Sequence, residues 1–171
     1  ARQFARNEIA PAAAHHDKTG EFPRAVLQNA HAAGLMNSHI PESCGGLGLG
    51  TLDGCLISEE IAWACTGIGT AMEANTLAQM PVIVAGTEAQ KNRFLPRMAK
   101  NTLSAFCLSE PNVGCDAGGQ ETRCELSPCG NFYVLNGEKY WASGAGDPRC
   151  KVYIVMVRTG DDDAPKHQRH S

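Results

Sequence analysis

Aromatic residues are scarce, 6% of a 171-residue chain, which leaves few of the platforms on which single-stranded nucleic acids stack. Positive charge is also short: 15 Lys and Arg against 18 Asp and Glu give a net charge of −3, so there is no basic field for a polyanion. No apolar run approaches the ~20 residues that cross a bilayer. Eight cysteines are present, but none forms a C-x-x-C pair, and the six histidines contain no H-x-x-x-H. Metal sites usually rely on such short pairs, so no metal is expected. Cys55, Cys65 and Cys107 lie in apolar stretches and read as buried, reduced thiols, which suits a reducing compartment. The chain opens at Ala1 without a Met, and any targeting segment is expected upstream of it.

With 43% hydrophobic and 19% charged residues, the composition is that of a globular chain, and the length suits one ordinary domain or two small ones. The first hundred residues carry helical periodicity. Ala1 to Arg6 reads as helix, and Phe22-Pro23 opens another in which Val26, Leu27 and Ala30 share a face before Gly34 ends it. Thr51 to Trp63 places Leu52, Cys55, Leu56 and Trp63 at helical spacing, and Ile68 to Met80 follows with Leu77 and Met80 on one side. Pro81 is expected to interrupt it; Thr87-Glu88-Ala89-Gln90 is a capping box for a further helix that Pro96 should kink or end.

After about residue 102 the pattern becomes that of strands, at Ser104–Leu108, Phe132–Leu135, Lys139–Trp141 and Val152–Val157, with Asn136-Gly137 as a hairpin turn between the second and third. About seventy residues are too few for a closed eight-stranded barrel, so this second domain reads as incomplete. The expected fold is α+β in two domains, an all-α domain over 1–102 and a truncated β-barrel domain over 103–171. The polar tail from Asp161 reads as a solvated loop.

Three segments could carry chemistry. Gly45-Gly46-Leu47-Gly48-Leu49-Gly50 lacks a preceding strand and does not satisfy G-x-G-x-x-G in either frame, so it reads as a packed loop and not a dinucleotide site. In Phe106-Cys107-Leu108-Ser109-Glu110-Pro111-Asn112-Val113-Gly114-Cys115-Asp116 a strand enters a turn whose hydroxyl and backbone amides could cradle a ring edge and a phosphate, although an ordinary strand-loop would look the same. In the segment Asn136 to Gly144, Trp141 and Ser143 lie two apart and should share one strand face, an aromatic surface beside a hydroxyl.

Taken together, Ser109-Glu110-Pro111, Gly114-x-Asp116 and Asn136-Gly137-x-Lys139-x-Trp141-x-Ser143 strongly resemble the acyl-CoA dehydrogenase family. Arg6-Asn7-Glu8-Ile9-Ala10-Pro11, His39-Ile40-Pro41-Glu42, the glycine-rich loop and Gln79-Met80-Pro81 are similar to its medium-chain members. Ser143 to Val152 and Arg169-His170-Ser171 are more similar to members fused to a phosphotransferase-like domain, which act on longer chains. The resemblance implies a helical domain, a middle β domain and a C-terminal helical bundle absent from this sequence, with FAD between the last two. It implies that Phe106, Cys107, Leu108, Ser109, Gly114 and Cys115 contact the flavin or its phosphates. Trp141 and Ala142 would flank the isoalloxazine, and the Ser143 hydroxyl would bond to N5. Thr70, Glu73 and Leu77 match positions lining the acyl pocket, with Cys115 also at the substrate.

Three residues depart from the family pattern, the first being Val113, which stands where a small residue is usual. Cys115 stands where Ser or Thr is usual, and Gly69 where the medium-chain members have a bulkier polar residue, so a deeper pocket for longer chains is expected. The implied reaction removes an α-proton of an acyl-CoA thioester with a Glu while a β-hydride passes to the flavin, helped by donors to the thioester oxygen. Neither Glu73 nor Glu110 matches that base, which the resemblance assigns to the bundle, so no catalytic residue is named. The resemblance further implies an electron-transfer flavoprotein as acceptor, a homotetramer and the mitochondrial matrix. Two other readings stay open: a non-catalytic relative serving as an oligomer or partner surface, and a cysteine-dependent redox or metal module.

Overall fold

A computed structural model describes residues 1–160; the tail from Asp161, including Arg169-His170-Ser171, lies outside the described residues. The chain divides into two compact units, Ala1–Ala105 with Ser143–Tyr153, and Phe106–Ala142 with the chain from Ile154 onward.

The first unit is helical. α1 (Arg2–Phe4) continues through a π-helical turn (Ala5–Ile9) into α2 (Ala10–Thr19), which ends at Gly20 with φ 69°. α3 (Arg24–Ala32) starts after Pro23 and buries Val26, Leu27 and Ala30, the face its periodicity predicts. It ends where expected: Gly34 has φ +70°, its N–H reaches the His31 carbonyl, and Leu35 N–H reaches that of Ala30. α4 (Thr51–Ala64) and α5 (Thr66–Ala85) pack on each other, and α6 (Glu88–Met98) follows. The capping box is formed, with Gln90 N–H donating to Thr87 Oγ1 at 3.3 Å and Thr87 N–H to Gln90 Oε1 at 2.8 Å.

Pro81 behaves differently from expectation: it sits inside α5, which runs on to Ala85, whereas α6 ends at Met98, two residues past Pro96. Burial of Ala78, Gln79 and Val82 holds the segment around Pro81 in place, so packing outweighs the missing hydrogen bond. The apolar positions of α4 also differ from a core reading: Leu52 is 72% exposed, Leu56 and Trp63 are exposed, and so are Leu77 and Val84 on α5. Cys55 is exposed rather than buried, whereas Cys44, Cys107 and Cys150 are buried, and all eight cysteines are free thiols.

Two features fix the unit internally. Asn37, in the left-handed region at φ 61°, accepts from Asn75 Nδ2 at 2.5 Å and Gln79 Nε2 at 2.6 Å, while Asn75 Oδ1 accepts from Ser104 N–H at 2.6 Å. This buried polar chain ties α5 to the first strand. The glycine-rich loop folds tightly back, as Gly46 N–H bonds to Pro41 O and Gly48 N–H to Ile40 O. A Cβ on Gly46 would lie 2.0 Å from Ile40 O, so glycine is required there for close backbone approach and not for a phosphate. Gly46→Ala is expected to cost about 2 kcal/mol or more, read as a lower denaturant midpoint.

Four strands are formed: β1 (Leu103–Cys107), β2 (Arg123–Leu126), β3 (Tyr133–Asn136) and β4 (Cys150–Val155). They make two two-stranded sheets, β1 with β4 and β2 with β3, and no closed barrel is seen among the described residues. The β2–β3 pair is antiparallel, from Arg123 opposite Asn136 to Leu126 opposite Tyr133. Its turn is Ser127–Phe132, with Ser127 N–H bonded to Phe132 O and Gly130 at φ +71°. The hairpin expected at Asn136-Gly137 is therefore not formed. Gly137 is needed there because a Cβ would lie 2.4 Å from Thr122 Oγ1, a close approach and not a turn between strands. The Lys139–Trp141 segment is not a strand either.

Candidate flavin-facing site

Within the second unit, β1 runs out at Cys107 and the chain makes a tight turn closed by Glu110 N–H to Val113 O and Val113 N–H to Glu110 O, at 2.9 and 3.1 Å. Leu108 and Ser109 stand between strand and turn, half-buried; Phe106 is half-buried and Cys107 buried. Gly114 and Cys115 are exposed beyond the turn, and the space at the Gly114 Cα is open within 4 Å.

The turn is anchored from below by a buried carboxylate. Glu110 accepts from the backbone N–H groups of Glu121 at 2.6 Å and Thr122 at 3.0 Å, and pairs with Lys139 Nζ at 2.7 Å. Burial by itself would push this carboxyl up, but the hydrogen bonds from Lys139 and from residues 121 and 122 outweigh it and hold the group at about 2. Lys139 Nζ also donates to the Leu108 carbonyl at 3.1 Å and to Gln120 Oε1. One residue on, Tyr140 N–H donates to the Ser109 carbonyl at 2.8 Å. The end of β1 and the Lys139–Trp141 segment, distant in sequence, are thus bonded side by side.

Trp141 follows, 85% exposed, with φ 60° and its ring edge-on to Tyr140 at 5.9 Å between centroids. A bulky residue in the left-handed region is an outlier, and nothing buries this one in compensation. Because Trp141 is not in a strand, the expectation that it shares a strand face with Ser143 is overturned: the left-handed backbone breaks the two-residue alternation. Ala142 closes the second unit half-buried. Ser143 belongs to the first unit, exposed, at the start of the turn in which Asp147 N–H reaches Gly144 O.

Also in the first unit, Thr70, Glu73 and Leu77 lie along one side of α5, all exposed, with Leu77 at 54%. Thr70 donates to Thr66 O, and Glu73 accepts from Ser58 Oγ at 2.7 Å. Gly69 is buried and faces away from them: a Cβ there would meet Ile61 Cγ2 at 3.4 Å, so it lets α4 and α5 approach. A cavity of about 720 Å³ between the end of α2 and the start of α5 includes none of Thr70, Glu73 and Leu77.

No local pattern marks Gln120, which joins Lys139 and donates to the Leu108 carbonyl at 3.1 Å. Lys139 is part of the Asn136–Ser143 motif, and its spacing alone does not indicate these partners. Among the described residues no group of three or more His, Cys, Asp or Glu side chains is placed to hold a metal ion, and no helix is long and apolar enough to cross a membrane.

The chain belongs to the acyl-CoA dehydrogenase family: residues 1–102 match the family described as acyl-CoA dehydrogenase, N-terminal domain, and residues 105–171 its middle domain. It is 40% identical over 167 residues to a probable medium-chain specific acyl-CoA dehydrogenase 2, mitochondrial, of Caenorhabditis briggsae, covering 97% of this chain and 40% of that protein. Butyryl-CoA dehydrogenase from Megasphaera elsdenii superposes with a TM-score of 0.83 at 30% identity, over 95% of this chain and 43% of that one. An acyl-CoA dehydrogenase of Bacillus anthracis, solved in complex with FAD, gives 0.82 at 33% identity, over 92% of this chain and 27% of that one. The chain spans about two fifths of the length of the curated relatives it matches.

Proposed function

We propose that this chain is part of a flavin-dependent dehydrogenase that introduces an α,β double bond into acyl-CoA thioesters, and that it supplies one wall of the FAD site. The observation that carries the reading is Trp141, strained and exposed beside the end of β1. Strain without burial has no packing return and marks a surface kept for a ligand. The residues fit the cofactor. Phe106, Cys107, Leu108 and Ser109 lead to open backbone at Gly114 and Cys115 for the phosphates, and Trp141 and Ala142 offer an apolar edge for the ring system. Ser143 would add a hydroxyl donor, and Thr70, Glu73 and Leu77 would line the acyl chain. When bound, FAD supplies the two-electron acceptor.

This chain's own residues bind and orient. Glu110 is no proton acceptor, since its carboxylate is buried, paired with Lys139 and held at about 2. Glu73 is bonded to Ser58. The resemblance to the family assigns the group that takes the α-proton to a C-terminal segment outside these 171 residues. An electron-transfer flavoprotein as acceptor, a homotetramer and a mitochondrial matrix location complete the proposal; the mitochondrial relative supports the last. The test is anaerobic addition of acyl-CoA to the protein carrying this segment, with bleaching of bound flavin expected. The 171-residue chain alone is expected to bind FAD weakly and to turn over nothing, and turnover by it would contradict the account.

Cys115 offers a weak S–H donor where a hydroxyl would serve better. Cys115→Ser is expected to tighten FAD binding by about 1 kcal/mol, roughly fivefold in Kd, read by flavin titration.

A further inference from the structure

We infer that Lys139 is a positioning residue: with Glu110 and Gln120 it forms a buried clamp that sets the Trp141 segment against the end of β1. The inference rests on the flavin reading only for its purpose and on geometry for its existence. Three oxygens from three separate places in the second unit converge on one ammonium: the Leu108 carbonyl at 3.1 Å, Glu110 Oε1 at 2.7 Å, and Gln120 Oε1. An ammonium has three N–H donors, so this set saturates it. Lys139 is 10% and Glu110 1% exposed at the side chain, so water competes little for these bonds.

The arrangement joins the pieces the candidate site needs. Leu108 O lies at the outlet of β1, one residue before Ser109. Glu110 carries the tight turn that leads to Gly114 and, through the N–H groups of residues 121 and 122, the approach to β2. Gln120 closes the ring by donating to the same Leu108 carbonyl. Lys139 lies two residues before Trp141, and the Tyr140 N–H bond to Ser109 O continues the same stitching. A left-handed tryptophan persists only where its surroundings over-determine the backbone, and this clamp, together with the Tyr140 bond, is what does so. A lysine suits the task better than an arginine, because a compact ammonium can meet three converging oxygens where a planar fork cannot.

The test follows Trp141 in a Trp63→Phe background, where it is the sole tryptophan. Near-ultraviolet circular dichroism reports its fixed environment, and quenching of its fluorescence by titrated FAD reports flavin contact. Lys139→Met should lose the Trp141 dichroism band and move the FAD midpoint up about tenfold. If Lys139→Met unfolds the unit, the Glu110→Gln/Lys139→Met double variant keeps an acceptor for the residue 121 and 122 amides without a bare charge, and the same loss is expected. Lys139→Arg should restore only part of the band. A full Trp141 band in the double variant overturns the clamp, whatever FAD does. A lost band with an FAD midpoint equal to that of the parent supports the clamp and overturns the flavin role of Trp141.

Discussion

Glu110→Ala is expected to destabilise the second unit by roughly 3–5 kcal/mol, seen as a collapsed denaturant midpoint for its transition. The carboxylate makes a buried pair with Lys139 and accepts two backbone N–H groups. Removing it strands a nearly buried ammonium and the buried Thr122 N–H, and frees the part-buried Glu121 N–H, so each would have to be rehydrated or left unsatisfied. Glu110→Gln keeps an acceptor for the amides and is expected to cost less than Glu110→Ala. Equal losses for the two would mean that the charge dominates and the backbone bonds contribute little.

Acid should destabilise the chain over a defined window. Glu110 falls from its ordinary 4.5 to about 2 in the folded chain, and Asp147 from 3.8 to about 2. For Asp147, burial pushes upward but hydrogen bonds from Arg24, at 2.8 Å, and from Arg149 prevail. A depressed carboxylate binds its proton more weakly in the folded chain than in the unfolded one. Its contribution is therefore complete above the unfolded value and is lost as pH falls towards the folded one. Stability should be level above pH 5 and fall steeply between about pH 4.5 and 2. Each unit holds one of these groups, so both transitions should move. Glu110→Gln should flatten the fall for the second unit only, whereas a flat profile in the parent would contradict the ionic anchoring of both groups.

The helical half was legible because its signals are local. The face of Val26, Leu27 and Ala30, the Gly34 terminator and the Thr87–Gln90 box each depend on residues within a turn of one another. Pro81 does not end its helix because tertiary packing carries α5 past it. The β half was less legible for a physical reason. β2 and β3 are exposed along nearly their whole length, so Arg123–Leu126 shows no apolar alternation to betray a strand. Asn136-Gly137 looked like a turn because Gly137 is obligatory, yet the obligation comes from Thr122 on a neighbouring stretch, which no local pattern records. In the candidate site the resemblance drew attention to Ser109 and Trp141, while the bonds joining them pass through Lys139, Gln120 and a backbone amide, long-range partners invisible to spacing.

The central claim is that Trp141 is held in a strained, open position for a flavin, and Trp141→Gly tests it most directly. Glycine adopts φ 60° freely, so the variant should gain about 1 kcal/mol in unfolding free energy while its affinity for FAD falls. Loss of stability with unchanged FAD binding would contradict the claim.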